Sequence, residues 1–271
     1  MSSLKVPPSS SFVSVKEVLQ FGGISQWSTE DAGVFITHLI RVGWVKKLKT
    51  SVVVFSIAQF FPSLNHKVLM VVIEKVGFPQ VMGEFFQSYL TGCKTMYKWD
   101  DFMSGLFAVD IGVGQRSGLS PVLSGLYIGL VLKLFSLDPI SKKVQLLSYI
   151  GDGTVLTQST HLAQNLPKLK AAYGVIYHLL TVLGLILEHD KSEVYHFSQA
   201  RGESHPPIDL GFAPYTGNTL LESKLYWQYL GFYFDHKLSF SEHMILHYQG
   251  VDHGQGFWDA QQLQQGGVSS A

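Results

Sequence analysis

The sequence predicts an α+β fold, an antiparallel sheet backed by helices, and three stretches carry that expectation. Ser51-Val52-Val53-Val54-Phe55-Ser56-Ile57 is a β-branched run typical of a strand buried on both faces. Leu146, Leu147, Ser148, Tyr149 and Ile150 lead into Gly151-Asp152-Gly153, and Thr154, Val155 and Leu156 lead out, the pattern of a β-hairpin with an acidic tip. Apolar runs at residues 119–132 and 171–187 supply helices to cover the sheet. They fall short of a membrane span or just reach one, and the second carries Tyr173, Tyr177, His178 and Thr181, so buried helices are the better assignment and no membrane is implied.

The remaining elements follow in chain order. Residues 1–20 are rich in Ser and Pro and read as loosely ordered. Ser28 or Thr29 can cap a helix with Glu30 and Asp31 in its first turn, and Val34, Phe35, His38, Leu39 and Val42 recur at helical spacing. After the β-branched strand, residues 60–66 break the chain before Val68, Leu69, Val72, Ile73 and Val76 restart a helix, and residues 85–90 read as helical too. Residues 95–107 form a second hairpin around Trp99-Asp100-Asp101. Beyond Tyr248 the composition turns Gln-rich, so residues 248–271 read as a disordered or unrelated tail and residues 21–247 as the folded body.

Composition narrows the class of protein. At 271 residues and 46% hydrophobic content the chain can bury a large core, which excludes general disorder. Lys plus Arg balance Asp plus Glu at 20 each, and this neutrality weighs against a phosphate-binding surface, although Arg41, Lys46, Lys47 and Lys49 cluster. The single cysteine, Cys93, excludes an internal disulfide framework and a cysteine-based zinc site. It fits an intracellular setting, cytoplasmic or nuclear, and the first residues lack the apolar core of a secretory signal.

Gly112-Val113-Gly114-Gln115-Arg116-Ser117-Gly118 opens the first apolar helix. A Gly-x-Gly turn before a helix is the setting of dinucleotide-binding folds, in which helix-start amides hold a pyrophosphate, and so an oxidoreductase is one alternative. Ser117, however, occupies the place of the third glycine. His243 and His247 would share a helical face, but Met244-Ile245-Leu246 between them lacks the glutamate of a zinc-protease motif.

The order of the pieces is what resembles a known family. Residues 56–66, 112–127, Tyr149-Ile150-Gly151-Asp152, residues 184–193 and Trp227-Gln228-Tyr229-Leu230-Gly231-Phe232 look like successive motifs of reverse transcriptases, above all those of fungal non-long-terminal-repeat retrotransposons. The resemblance implies a polymerase palm with partial fingers and a largely missing thumb, acting on an RNA template and a DNA primer. It also implies nucleotidyl transfer over paired Mg²⁺ or Mn²⁺ ions roughly 4 Å apart, held by carboxylates from separate strands.

Set against that pattern, this chain departs at the acidic positions. Ser56 stands where the family has the first aspartate and Gly151 where the tip has its first, which leaves Asp152 as the single matching metal ligand. Asp101 and Asp110 fall in other elements of the pattern. Gln115 keeps the residue that lines the incoming nucleotide, Arg116 replaces a glycine there, and Trp27 replaces a basic residue near the triphosphate. Lys191 matches a lysine implied to serve the leaving pyrophosphate, and Leu230 and Gly231 match the turn under the primer end. These departures imply a catalytically inactive, degenerate copy, and the end of the resemblance before the thumb helices suggests a tail that slipped into another reading frame. The alternative is a non-catalytic RNA or RNA–DNA binding module.

Overall fold

The computed structural model describes residues 19–24, 26–114, 117–211, 220–241 and 243–245. The expectations for residues 1–18 and for the tail from residue 246 onward fall outside them. Helix α1 (Thr29–Val45) starts at Ser28, whose hydroxyl accepts from the Asp31 amide while the Asp31 carboxylate accepts from the Ser28 amide, a reciprocal capping box. Strand β1 (Lys49–Ala58) follows, then the short α2 (Phe60–Ser63), α3 (His66–Val76) and α4 (Gln80–Leu90). Strands β2 (Lys94–Thr95), β3 (Lys98–Trp99), β4 (Phe102–Met103) and β5 (Phe107–Ala108) make the second hairpin, and α5 (Ser120–Leu137) follows. The chain then forms β6 (Gln145–Tyr149), β7 (Asp152–Ser159), α6 (Leu166–Val182), β8 (Ile186–Phe197), β9 (Tyr226–Tyr229) and β10 (Phe232–Asp235).

The main sheet has the order β6-β7-β1-β8 and every pairing in it is antiparallel. That matches the expected α+β architecture, and among the described residues no parallel β-α-β unit surrounds the Gly112 loop, so the dinucleotide-binding alternative loses its scaffold. The β-branched run lies at the centre because alternate residues enter different cores. Val53, Phe55 and Ile57 pack with Leu123 and Tyr127 of α5 and Tyr173 and Ile176 of α6, whereas Val52 packs on the opposite side with Ile36 and Ile40 of α1 and Trp227 and Phe234 of the β9–β10 hairpin. Helix α5 is long and apolar enough to cross a bilayer, yet here its Leu123, Tyr127, Val131 and Phe135 are core residues.

Two expectations need correction. The apolar run 171–187 is one element in the sequence and two in the structure. Helix α6 stops at Val182, Gly184 takes φ +75°, and the chain turns into β8, because glycine occupies the left-handed end of a helix without the penalty that any other residue meets. The acidic hairpin also turns one residue earlier than its glycines suggest. Tyr149 pairs with Asp152, so Ile150 and Gly151 form the loop, and Ile150 sits at φ +56°. Gly153 lies inside β7 instead, where a Cβ would fall 2.1 Å from the Phe55 ring.

Candidate functional site

Register assembles the site. Across the sheet, Tyr149 faces Asp152, Asp152 faces Ser56, and Ser56 faces Glu188. Residues directly opposite in antiparallel strands point to the same face, so these four side chains form one row on the side of α1 and the β9–β10 hairpin. At about 5 Å per strand spacing, the Asp152 and Glu188 backbones lie roughly 10 Å apart with Ser56 between them. Glu188 reaches this row through an irregularity: β1 advances from Val54 to Ser56 while β8 runs back from Glu193 to Glu188, so residues 189–192 bulge out of the ladder. The bulge is tied down from below. The Tyr173 hydroxyl of α6 lies 2.9 Å from His189 Nδ1 and 2.8 Å from Ser192 Oγ, and burial drives its pKa far above the ordinary phenol value.

The bulge also fixes the cation. Lys191 Nζ lies 2.7 Å from Glu188 Oε2, so the lysine that the sequence singles out is an ion-pair partner of the row. Loss of water at the crowded rim pushes the Asp152 carboxyl above its usual range and Glu188 adds to this, while a hydrogen bond with Ser56 and the Lys191 charge pull it back. Asp152 remains solvent-exposed at the start of β7, so the shift carries no stability argument. On the floor of the row, burial raises the pKa of the Tyr229 hydroxyl, which hydrogen-bonds Thr154 and faces Asp152 and Tyr149.

Gly151 lies in the loop beside this row, and its carbonyl accepts from the Ile57 amide at 2.9 Å. A Cβ there would come 3.0 Å from the Phe60 Cβ, so a side chain at this position needs a small yielding of α2. Ile150 at positive φ is a strained, β-branched residue, and such strain concentrates at functional loops. Leu230 and Gly231 have φ +49° and +92°, forming the two-residue turn between β9 and β10.

The structure therefore brings Ser56, Gly151, Asp152 and Lys191 together. Gln115 and Arg116 lie outside the described residues. Asp101 is in the turn of the second hairpin and Asp110 lies beside His66, in other elements. Trp27 packs edge-on to Phe21 at 4.9 Å, and His243 stacks on Phe232, its partner His247 being undescribed. Sequence reasoning missed Glu188. It stood within a quoted motif, but only the bulge makes it the neighbour of Ser56.

No protein-family model and no curated protein matches the chain. Solved structures do match in fold. The chain is similar to apo telomerase from Candida tropicalis truncated from its C-terminal domain, with 14% identity, a TM-score of 0.56, 82% of this chain covered and 40% of the other. It is also similar to Candida tropicalis telomerase in complex with a TWJ fragment of telomeric RNA, at 14% identity and a TM-score of 0.55, covering 83% of this chain and 34% of the other. The chain thus spans well under half the length of these structures, and it shares with them a partial, palm-like polymerase fold.

Proposed function

We propose that the chain is a reverse-transcriptase-like palm with partial fingers, descended from a fungal-type non-long-terminal-repeat retrotransposon, and that it no longer performs nucleotidyl transfer. The ancestral reaction in this reading is RNA-directed DNA synthesis on an RNA template and a DNA primer. The observation that carries it is the row Asp152, Ser56, Glu188. Its centre, where strands β7, β1 and β8 would have to converge on metal, is a neutral hydroxyl.

The donor set does not fit a pair of divalent ions. Among the described residues no group of three or more His, Cys, Asp or Glu side chains could hold a metal. Magnesium demands octahedral oxygen ligands at about 2.1 Å and sheds water reluctantly, and a serine hydroxyl supplies no anionic ligand. Glu188 is already paired with Lys191. Retained RNA or RNA–DNA binding is the second reading, supported by the telomerase likeness to the extent of a shared fold.

Primer extension with Mg²⁺ or Mn²⁺ tests the proposal, run on the unaltered chain beside a Ser56→Asp, Gly151→Asp, Arg116→Gly variant. The unaltered chain should give no extension, and robust extension by it overturns the loss of activity. A salt-dependent mobility shift with labelled RNA tests the second reading, which absence of binding at low salt removes.

A further inference from the structure

The second hairpin stands apart from both cores. Val109 N–H donates to the Cys93 carbonyl at 3.0 Å, Lys94 and Thr95 face Ala108 and Phe107, Ser104 N–H donates to the Tyr97 carbonyl at 2.9 Å, and Lys98 and Trp99 face Met103 and Phe102. The register slips by one residue at Gly105-Leu106, so the bulge lies on the returning arm and the outgoing arm, residues 94–99, is unbroken. None of these residues belongs to either core, and Tyr97, Trp99 and Phe102 are 68%, 78% and 64% exposed. A lone two-stranded ribbon is marginal in water, and both of its strands are edges.

The outgoing edge has a defined hydrogen-bonding polarity. Cys93 and Tyr97 turn their backbone groups inward to the hairpin, so by alternation Lys94, Met96 and Lys98 turn theirs outward. Among the described residues no strand pairs with that edge. Nor do Lys94, Lys98, Asp100 or Asp101 take part in the ion pairs of the described residues.

We propose that this edge pairs antiparallel with the same edge of a second copy of the chain, about a two-fold axis through Tyr97. Ladder bonds require outward-facing residues to meet, and among the registers that satisfy this, charge selects the one centred on Tyr97 over its neighbours. Outward-facing Met96 then meets outward-facing Lys98 of the other copy, as ladder bonds require, and at both ends Lys94 comes alongside Asp100, the turn residue at φ +49° that follows the strand. The neighbouring registers fail on charge: centring on Met96 sets Lys94 against Lys98, and centring on Lys98 sets that lysine against itself. In the chosen register Tyr97 meets Tyr97 and Thr95 meets Trp99, and the two ribbons become one four-stranded sheet with a shared aromatic face.

The test is sedimentation of the full chain over a range of concentrations, together with its charge variants. The unaltered chain should dimerise. Lys94→Asp or Asp100→Lys alone should weaken the dimer about ten-fold, since symmetry counts each change twice, and the Lys94→Asp, Asp100→Lys swap should restore it. A second readout is disulfide trapping in a Cys93→Ser background. Tyr97→Cys should cross-link readily, because a non-hydrogen-bonded antiparallel pair holds its Cα atoms about 4.5 Å apart, within disulfide reach, whereas Trp99→Cys should not. A monomer at every concentration, no restoration by the swap, or equal cross-linking at positions 97 and 99 overturns the proposal.

Discussion

Lowering the pH from 7 toward 4 should destabilise the chain through His196. This histidine, near the end of β8, is fully buried, with Nδ1 2.7 Å from Ser51 Oγ and Nε2 2.9 Å from the Pro206 carbonyl. Asn165 donates to the same serine oxygen at 2.9 Å, so Ser51 gives its proton to Nδ1 and the neutral ring donates from Nε2. Burial holds its pKa down to about 4; the hydrogen bond to the Pro206 carbonyl offsets part of this, the neighbouring His205 and His236 oppose its charging further, and Glu203 helps it least. Glu203 is itself paired with Lys49. Since the folded value lies below the unfolded one of 6.5, the unfolded chain takes up the proton first. Stability from this group is complete above pH 6.5 and falls as the pH drops toward 4. At about 1.4 kcal/mol per unit, the loss across that window is about 3 kcal/mol. Urea denaturation of the wild type and His196→Gln at several pH values isolates the effect, because glutamine can keep both hydrogen bonds without titrating. If the two proteins show the same pH dependence, the reasoning is wrong.

Two further outcomes follow from packing. Gly153→Ala places a methyl 2.1 Å from the ring of Phe55, itself wedged edge-on against Tyr173, and should cost about 2–3 kcal/mol in chemical denaturation, with most of it recovered in a Gly153→Ala, Phe55→Leu double variant. Tyr173→Phe removes the hydroxyl that joins His189 and Ser192, so it should cost about 1–2 kcal/mol and raise amide hydrogen exchange selectively at residues 189–192.

The central strand, the acidic hairpin and the arm around Trp99 were all legible as sequence, because β-branched runs and turn residues act locally. What escaped was set by distant partners. Gly153 reads as a turn glycine, yet its smallness serves the Phe55 ring across the sheet. The true turn falls to Ile150, a residue that no turn preference would choose. Glu188 was invisible as a site residue because its place depends on how many residues β8 loops out opposite Phe55, a count that only the packed Tyr173 network settles. Ser56 and Asp152, by contrast, were identified from the motif order and do meet in register.

The position of β1 between β7 and β8 also dictates an order of events during synthesis. Ser56 waits for Asp152 and then for Glu188, so the strand at the middle of the sheet is made first and gains its two partners only when β7 and then β8 have been made. At ribosomal rates of 5–20 residues per second, Val52-Val53-Val54-Phe55 stays unpaired for roughly five to twenty seconds. During that interval the chain carries an apolar, β-prone segment with no intramolecular mate, and the yield of folded protein depends on keeping that segment from finding one elsewhere.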